Sequence, residues 1–375
     1  MKRLLLTFLT VAVSLMIYAK SEQLFLIAGS YAAASSEGIK VFMFNQENGH
    51  FKYISGIKGV ENPSYLTVNR NGTRVYAVGE NDKSTSTANA FRFNKANGTL
   101  TFLNQQPTQG AAPCNITLSP QQDYALTANY TGGSITLFPL TSEGTLQKGQ
   151  VISFSGKGPF AGRQDQPHLH CVMFTPDNKL LLANDLGTDK IHVFPLNTKH
   201  KTGSTTPLLT TTAAYDLSLK PGSGPRHICF APNGHFAYLI TELSGEVVTI
   251  SYRDGRLSPV QYIKADSLNA HGSADIHISP DGKFVYASNR LKGDGLAVFK
   301  VSPVDGKLTR VGYQTTGVHP RNFIISPNGR FVLVACRDTN NVIIYERDSV
   351  TGLLKDTGQT IRMPKPVCLK FVKPD

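Results

Sequence analysis

Three residues near the middle of the chain, His170, Arg226 and Glu242, are of the types that catalyse addition of water to a carbonyl group. An imidazole that titrates near neutrality can take a proton from water as a general base, and a carboxylate can orient or share that proton. A guanidinium can hold the developing oxyanion through forked hydrogen bonds. Because the three residues are far apart in sequence, these roles require a fold that brings them together.

The elements that would position them belong to a unit that recurs six times along the 375 residues, with a seventh copy split between the two ends. One copy is HPRNFIISPNGRFVLVACRDTNNVIIYERDSVTGLL, residues 319–354, in which short β-rich runs are separated by turns. Six prolines mark the first turn of successive copies, Pro120, Pro176, Pro232, Pro280, Pro327 and Pro374, and they lie 56, 56, 48, 47 and 47 residues apart. A repeat of this length, made only of short strands, predicts a β-propeller in which each copy is one blade.

The split copy indicates a closed ring. Residues 366–375 have the pattern of a lone first strand, whereas residues 24–31, 38–45 and 50–57 have the pattern of the three strands that should follow it. Joining them completes a blade and leaves no long free edge. The 33 glycines and 21 prolines suit a fold rich in hairpins, and the absence of tryptophan excludes WD40-type blades. We predict an all-β, seven-bladed propeller with four antiparallel strands per blade, in one domain over residues 24–375.

Aligning the repeats predicts which side chains meet at one end of the channel. The first position of the inner strand holds Ser64, Cys114, His170, Arg226, Ala274 and Arg321, and the position where the second strand returns to the same rim holds Glu80, Tyr130, Leu186, Glu242, Arg290 and Arg337. Departures to histidine, arginine and glutamate in adjacent blades indicate a site, because a structural repeat would prefer small or apolar residues there. We predict that His170, Arg226 and Glu242 are catalytic and that Arg290, Arg321, Tyr130 and Glu80 bind substrate. Rim side chains that face a channel should contribute little to stability.

Four segments of these repeats resemble a known family. They are QPHLHCVMFTPD (166–177), GPRHICFAPNGHFAYLITEL (224–243), ADIHISPDGKFVYASNR (274–290) and HPRNFIISPNGRFVLV (319–334). They resemble the lactonase family of seven-bladed β-propellers, which includes propeller-type 6-phosphogluconolactonases and fungal carboxy-cis,cis-muconate cyclases. The resemblance implies that His170, Arg226 and Glu242 are site residues and that Arg290 and Arg321 occupy further arginine positions of the family.

Each of these residues also has a structural interpretation. Arg226 and Glu242 could form a salt bridge between two strands of one blade. We interpret His168, His227 and His277 as structural histidines. Asp185 and Asp189, in NDLGTDK, also match the family's pattern and are interpreted as loop and turn caps.

Three functions agree with these observations. The favoured one, implied by the resemblance, is a 6-phosphogluconolactonase-like hydrolase that opens a sugar lactone to its aldonic acid. The enzymatic rival is a muconate-type cycloisomerase, and the third possibility is a periplasmic propeller that binds a ligand without turnover. We expect no cofactor and no catalytic metal, because the inner-strand positions offer no carboxylates for a calcium cage.

The N-terminal segment predicts export. Lys2 and Arg3 precede an apolar run from Leu4 to Ala19, which has the character of a signal peptide over residues 1–19, with an uncleaved anchor as the alternative. The protein is then periplasmic or secreted, and free of the membrane after cleavage. An exported enzyme would not meet the phosphorylated sugars of the cytosol, so the choice of lactone stays open.

Composition restricts the partners. The formal net charge is +12, but no basic run or aromatic-basic platform favours nucleic acid. A basic channel mouth would instead attract a small anionic sugar lactone or related carboxylate. We expect a monomer.

The five cysteines form no Cys-x-x-Cys pair and are expected to be buried free thiols, with at most one disulfide. The Lys/Thr-rich residues 199–212 in the third repeat are expected to be a surface insertion.

Overall fold

A computed structural model of the protein describes residues 22–83, 85–209 and 212–375. Within these ranges the chain forms seven four-stranded sheets and no helix. Neighbouring strands of each sheet are antiparallel. The prediction of an all-β, seven-bladed propeller with four antiparallel strands per blade is therefore confirmed. The predicted signal peptide lies outside the described residues.

The chain begins with the three outer strands of blade 7, passes through blades 1 to 6 in order, and ends with the inner strand of blade 7. The outer strands of blade 7 are β1 (Gln23–Ser30), β2 (Ile39–Asn45) and β3 (Phe51–Ile57). Blade 1 has β4 (Leu66–Val68), β5 (Arg74–Gly79), β6 (Thr87–Asn94) and β7 (Thr99–Pro107). Blade 2 has β8 (Pro113–Leu118), β9 (Tyr124–Asn129), β10 (Ser134–Pro139) and β11 (Gln150–Ser153). Blade 3 has β12 (Leu169–Phe174), β13 (Leu180–Asp185), β14 (Lys190–Pro195) and β15 (Tyr215–Ser218).

The remaining blades repeat the same order. Blade 4 has β16 (Pro225–Phe230), β17 (Phe236–Thr241), β18 (Glu246–Arg253) and β19 (Arg256–Lys264). Blade 5 has β20 (Ile276–Ile278), β21 (Phe284–Asn289), β22 (Gly295–Val301) and β23 (Leu308–Thr315). Blade 6 has β24 (Pro320–Ile325), β25 (Phe331–Cys336), β26 (Asn341–Arg347) and β27 (Leu354–Arg362), and β28 (Pro366–Val372) completes blade 7. The first strands contact one another in the cyclic order β4, β8, β12, β16, β20, β24, β28 and back to β4, so they surround the channel axis.

Blade 7 closes the ring as predicted. Strand β28 pairs with β1, with Leu369 opposite Ala28 and Val372 opposite Phe25. On one side, the backbone N–H of Leu369 donates to Asn322 of blade 6 over 2.8 Å. On the other side, the backbone N–H of Leu66 in blade 1 donates to the Cys368 thiol at 3.4 Å. The last strand of the chain is therefore bonded to its own blade and to both neighbours.

Tight turns return the second strand of each blade to the rim where the first strand began. In blade 6 the turn contains Asn328 and Gly329, and Gly329 has a φ of 75°, a conformation that glycine adopts without a steric penalty. The Ser326 hydroxyl donates to the Asn328 side chain at 2.7 Å and accepts the N–H of Phe331 at 2.9 Å. This local network fixes the hairpin register, and the register decides which residues face one another at the rim.

The hydrophobic core is divided into layers between neighbouring blades. Phe44 of blade 7 packs edge-on against Phe331 of blade 6, with ring centroids 5.9 Å apart. Equivalent clusters lie between the members of each of the remaining six pairs of adjacent blades. The five cysteines are free thiols, as expected, and all but the partly buried Cys229 are buried. The blades are held by packing and interblade hydrogen bonds rather than by disulfides.

The insertion in blade 3 lies only partly at the surface. Residues 201–205 are exposed, but Leu208 and Leu209 are buried in the layer between blades 2 and 3. Nε2 of His200 lies 2.8 Å from a carboxylate oxygen of Asp123 in blade 2. The expectation of a surface insertion is therefore wrong for the base of the segment, because its apolar and ionisable side chains dock on the neighbouring blade. The part of the chain that the structure describes contains no helix of the length and apolarity needed to span a bilayer.

Candidate active site

Arg226 and Glu242 lie at the same end of blade 4. Arg226 is the second residue of β16, and Glu242 directly follows β17, which pairs with β16. Nε of Arg226 donates to Oε2 of Glu242 over 2.7 Å, and Nη1 donates to the carbonyl oxygen of Ala274 in blade 5. Only 1% of Arg226 is exposed. The expectation that rim side chains contribute little to stability assumed that they face the channel, whereas this ion pair is enclosed by two blades.

Glu242 binds two further guanidinium groups. Nη2 of Arg290 lies 3.2 Å from Oε2, and Nη2 of Arg163 lies 2.6 Å from Oε1. Burial alone would raise the pKa of Glu242, but the charges of Arg290, Arg226 and Arg163 lower it to about 2. The carboxylate is therefore ionised at neutral pH, and its low pKa favours the orienting role expected for Glu242 over the proton-sharing one. We call these four residues the Glu242 cluster.

His170 is a buried, neutral imidazole. It lies on β12, where its ring packs edge-on against Tyr130 at 5.6 Å and against His227 at 5.2 Å between centroids. Its Nδ1 atom is buried and has no hydrogen-bond partner among the described residues. Burial, followed by the charges of Arg226, His227 and Arg321, holds the pKa of His170 well below its usual range. Burial and the nearby positive charges both disfavour the imidazolium, so the lowered pKa departs from the titration near neutrality that the sequence suggested.

Arg321 and Glu80 form a second ion pair at the rim, between blades 6 and 1. Nη2 of Arg321 lies 3.9 Å from Oε1 of Glu80. The hydroxyl of Tyr31 donates to the same carboxylate, 2.9 and 3.0 Å from its two oxygens, and the Ser64 hydroxyl donates to Oε2. The Arg321 guanidinium also lies over the Tyr31 ring, 5.4 Å from its centroid. Glu80 is thus occupied with holding Arg321 and Tyr31 in place.

Tyr130 links His170 to the Glu242 cluster. Its ring stacks on His168 with centroids 4.3 Å apart, and its hydroxyl is hydrogen-bonded to Arg163, which in turn binds Glu242. The seven predicted site residues therefore belong to one contiguous network of contacts and charges at the rim. Of the remaining aligned positions, Leu186 is buried and Arg337 pairs with its neighbour Asp338, so neither joins the network through a side-chain hydrogen bond.

The sequence interpretation missed two members of the network. Tyr31 directly follows β1, the second strand of blade 7, and so holds the same position as Glu80 and Tyr130 do in blades 1 and 2. Extending the alignment to the split blade would have found it. Arg163 lies between β11 and β12, outside every strand, and no repeat signal marks it.

The buried carboxylate of Asp275 contacts residues that neighbour the site. Asp275 lies 2.7 Å from Nδ1 of His227 and 3.0 Å from Nε2 of His277, and it accepts the backbone N–H of Phe323 in blade 6 at 3.2 Å. Nε2 of His227 lies 3.5 Å from Nη1 of Arg226. His227 and His277 thus have the structural contacts predicted for them, and Asp275 ties blades 4, 5 and 6 together.

The two family-matching aspartates are caps, as predicted. Asp185 accepts the backbone N–H groups of His168 and Gly187 at 2.7 and 2.9 Å. Asp189 accepts those of Gly222 and Gly224, both at 2.7 Å. Within the described ranges no group of three or more histidine, cysteine, aspartate or glutamate side chains could hold a metal ion. That the protein uses no metal or cofactor stays a prediction.

The family model described as lactonase, 7-bladed β-propeller, matches residues 25–371. The chain belongs to this family. A Bacillus subtilis relative named 6-phosphogluconolactonase is 37% identical over 352 residues, which cover 92% of this chain and 97% of the relative. Among solved structures, a Bacteroides fragilis protein is 50% identical with a TM-score of 0.91, covering 94% of this chain and 99% of that protein.

A second solved structure has a location and an activity in its name. The periplasmic gluconolactonase of Pseudomonas aeruginosa is 32% identical to this lactonase-family chain, with a TM-score of 0.87. The match covers 94% of this chain and all of that protein. The similarity therefore extends over whole propellers and includes the blades that carry the rim network.

Proposed function

We propose that the protein hydrolyses a sugar lactone to its aldonic acid at the rim network. The observation that carries the proposal is the buried imidazole of His170, whose ring contacts His227 and whose Nδ1 has no hydrogen-bond partner among the described residues. Burial and the charges of Arg226 and Arg321 lower its pKa, which favours the neutral, basic form. A base and two oxyanion-stabilising groups are thus concentrated in one place, in a family whose relatives include named gluconolactonases. This combination suits acyl transfer to water.

The reaction can be written with these residues alone. The oxygen of a water molecule forms a bond to the lactone carbonyl carbon, while one water proton moves to His170. The carbonyl oxygen becomes an oxyanion beside Arg226 and Arg321. When the tetrahedral intermediate collapses, the bond between the carbonyl carbon and the ring oxygen breaks, and the departing alkoxide takes the proton from His170. Because His170 has a low pKa, its protonated form is a strong donor for this last step.

Glu242 acts by position and charge. Its carboxylate holds Arg226 and Arg290 in fixed orientations and reduces their mutual repulsion. Asp275 extends this support, because it fixes His227, whose ring contacts both His170 and Arg226. We therefore assign the proton transfers to His170 and treat Glu242 as a positioning residue.

We further propose that the protein works in the periplasm or outside the cell. The basic and apolar N-terminal pattern supports this, as does the similarity to a protein named a periplasmic gluconolactonase. The proposed partner is a small anionic sugar lactone, and the proposed assembly is a monomer. A muconate-type cyclisation would use the same groups differently: a substrate carboxylate oxygen would bond to one alkene carbon while protonated His170 gave its proton to the other.

A substrate panel tests the activity. Gluconolactone, 6-phosphogluconolactone and a carboxymuconate are offered to the purified protein, and proton release or alkene absorbance is followed against the spontaneous rate. We expect acceleration of lactone opening that is lost in His170→Gln. Acceleration only with the muconate would assign the rival cyclisation, and no acceleration with any of them would leave a ligand-binding propeller.

A further inference from the structure

The segment between β11 and β12, residues 154–168, contacts the rim network through Arg163, and we call it the strap. It is anchored by Gln164, which is fully buried and donates to the carbonyl oxygen of Leu186 and to Asp189, both at 2.8 Å. The backbone N–H of Phe160 donates to the Gln164 side chain at 3.0 Å. The strap therefore has a defined conformation even though it contains no strand.

The strap brings one arginine to the site from outside the repeats. Arg163 reaches Glu242 in blade 4 at 2.6 Å and is hydrogen-bonded to the Tyr130 hydroxyl in blade 2. Phe160 packs edge-on against His271, which precedes blade 5, with ring centroids 5.2 Å apart. The strap thus spans several blades and sets the guanidinium of Arg163 directly beside the Glu242 carboxylate.

Arg163 differs in exposure from the other two arginines of the Glu242 cluster. The side chains of Arg226 and Arg290 are 1% and 5% exposed and bind Oε2, whereas Arg163 is 34% exposed and binds Oε1. One carboxylate neutralises one of the three positive charges, so the cluster carries an excess of positive charge. An anion that enters from solvent can approach Arg163 without disturbing the buried ion pairs.

We propose that Arg163 is a specificity-determining residue that binds an anionic substituent of the substrate, a phosphate or a carboxylate remote from the reacting carbonyl. The inference rests on the proposed lactone hydrolysis and adds that lactones bearing such a group are preferred to neutral ones. On binding, Arg163 exchanges part of its contact with Glu242 for the substrate anion, and Arg226 and Arg290 keep Glu242 in place. A planar guanidinium suits both anions, because it can donate two parallel hydrogen bonds.

The test is a matrix of variants and substrates. Wild type, Arg163→Gln, Arg163→Lys and the control Lys157→Gln are assayed with neutral gluconolactone, with 6-phosphogluconolactone and with a carboxylate-bearing glucarolactone. Lys157 is an exposed cation on the same strap, so its loss changes the net charge equally. For Arg163→Gln we expect kcat/KM to fall at least about tenfold on the anionic lactones, the effect of losing a hydrogen bond to a charged group. The two anionic arms tell phosphate from carboxylate recognition.

The neutral lactone decides between specificity and positioning. We expect its kcat/KM to fall in Arg163→Gln by a clearly smaller factor than that of the anionic lactones, because Arg163 helps to hold Glu242 but Arg226 and Arg290 keep their own contacts with that carboxylate. Arg163→Lys should restore part of the loss on anionic lactones, and Lys157→Gln should match wild type. An equal loss on all three lactones, or no loss on the anionic ones, would overturn the proposal.

Product binding separates this inference from the proposed function. Calorimetry with 6-phosphogluconate and gluconate measures anion recognition without turnover. If the wild type opens no lactone, but the Arg163→Gln variant binds 6-phosphogluconate more weakly than the wild type does, then the proposed hydrolysis is wrong and the proposed anion site is supported. If wild type is active and the variant binds both products as tightly as wild type does, Arg163 is not the specificity residue.

Discussion

His170 shows how strongly neighbouring charges can alter a single residue. In water an imidazole has a pKa of about 6.5 and would lose half its basic form at that pH. Here burial, Arg226 and Arg321 disfavour the imidazolium, so the basic form persists in more acidic solution. In the proposed mechanism the positive charges that weaken the base would also stabilise the oxyanion, so both effects on the rate would come from one arrangement.

The pH profile of kcat/KM tests this argument. A group with a lowered folded-state pKa keeps its neutral form as the pH falls, so activity should stay level through pH 6.5 and decline only well below it. Arg321→Gln removes one of the charges that lower the pKa of His170, so the acidic decline should move to higher pH. Both profiles are measured in a pH-stat and corrected for spontaneous hydrolysis. A decline centred near 6.5 in wild type, unmoved in the variant, would show that His170 is not the titrating base.

Arg226 should contribute to stability as well as to activity. Arg226→Ala leaves the buried Glu242 carboxylate short of one partner and the carbonyl oxygen of Ala274 without its donor, and such losses cost about 3–5 kcal/mol in buried pairs. Arg337→Ala is the matched control, because Arg337 directly follows the second strand of blade 6 and pairs with Asp338 in a partly exposed ion pair. Its free energy of unfolding should change by less than about 1 kcal/mol. Denaturant titration of the three proteins gives the comparison, and equal stabilities would refute a buried ion pair.

At the scale of elements, strands were predictable from the sequence and connecting segments were not. His170, Arg226 and Glu242 were found because each occupies a fixed position relative to a turn proline, and strand pairing converts equal sequence position into equal height along the channel. Arg163 has no such constraint, because the strap is shaped by Gln164 and its contacts with other blades. Burial was also mispredicted, since the alignment places Arg226 at the rim but cannot show that Ala274 of the next blade covers it.

Strand β28 is the element on which ring closure depends. Removing residues 366–375 would expose the edge of β1, would take the buried side chains of Val367, Cys368 and Leu369 out of the core, and would break the hydrogen bonds to blades 6 and 1. We expect the truncated protein to lose cooperative thermal unfolding. Removing only residues 373–375 is the control, because these residues follow β28 and contribute a surface pair of Asp375 with Lys95 at 2.8 Å. An unchanged melting curve for the longer deletion would contradict closure through β28.

At the scale of the whole molecule, the net charge of +12 and the arginine-rich rim act on ligands in the same direction. A basic mouth raises the local concentration of anions, and salt screens this attraction over a Debye length of about 10 Å at 0.1 M. Isothermal titration should therefore show that 6-phosphogluconate binds more tightly than gluconate, that glucose binds least, and that rising salt weakens the first two. Tighter binding of glucose than of either anion would argue against a basic mouth.

The pairing of β28 with β1 places the two ends of the fold at the position where each of the other six blades has its first tight turn. Val372 of β28 lies opposite Phe25 of β1. In blade 6 the equivalent pair is Ile325 and Val332, which flank the turn that contains Asn328 and Gly329. In blade 7 the turn between the first and second strands is therefore replaced by a break in the chain, between the end of β28 and the start of β1. Joining β28 to β1 with a short peptide would leave the contacts of the folded protein unchanged. It would restrict the unfolded chain, whose conformational entropy would fall. A covalently circular form should then resist unfolding more strongly than the natural one, without any new contact in the folded protein.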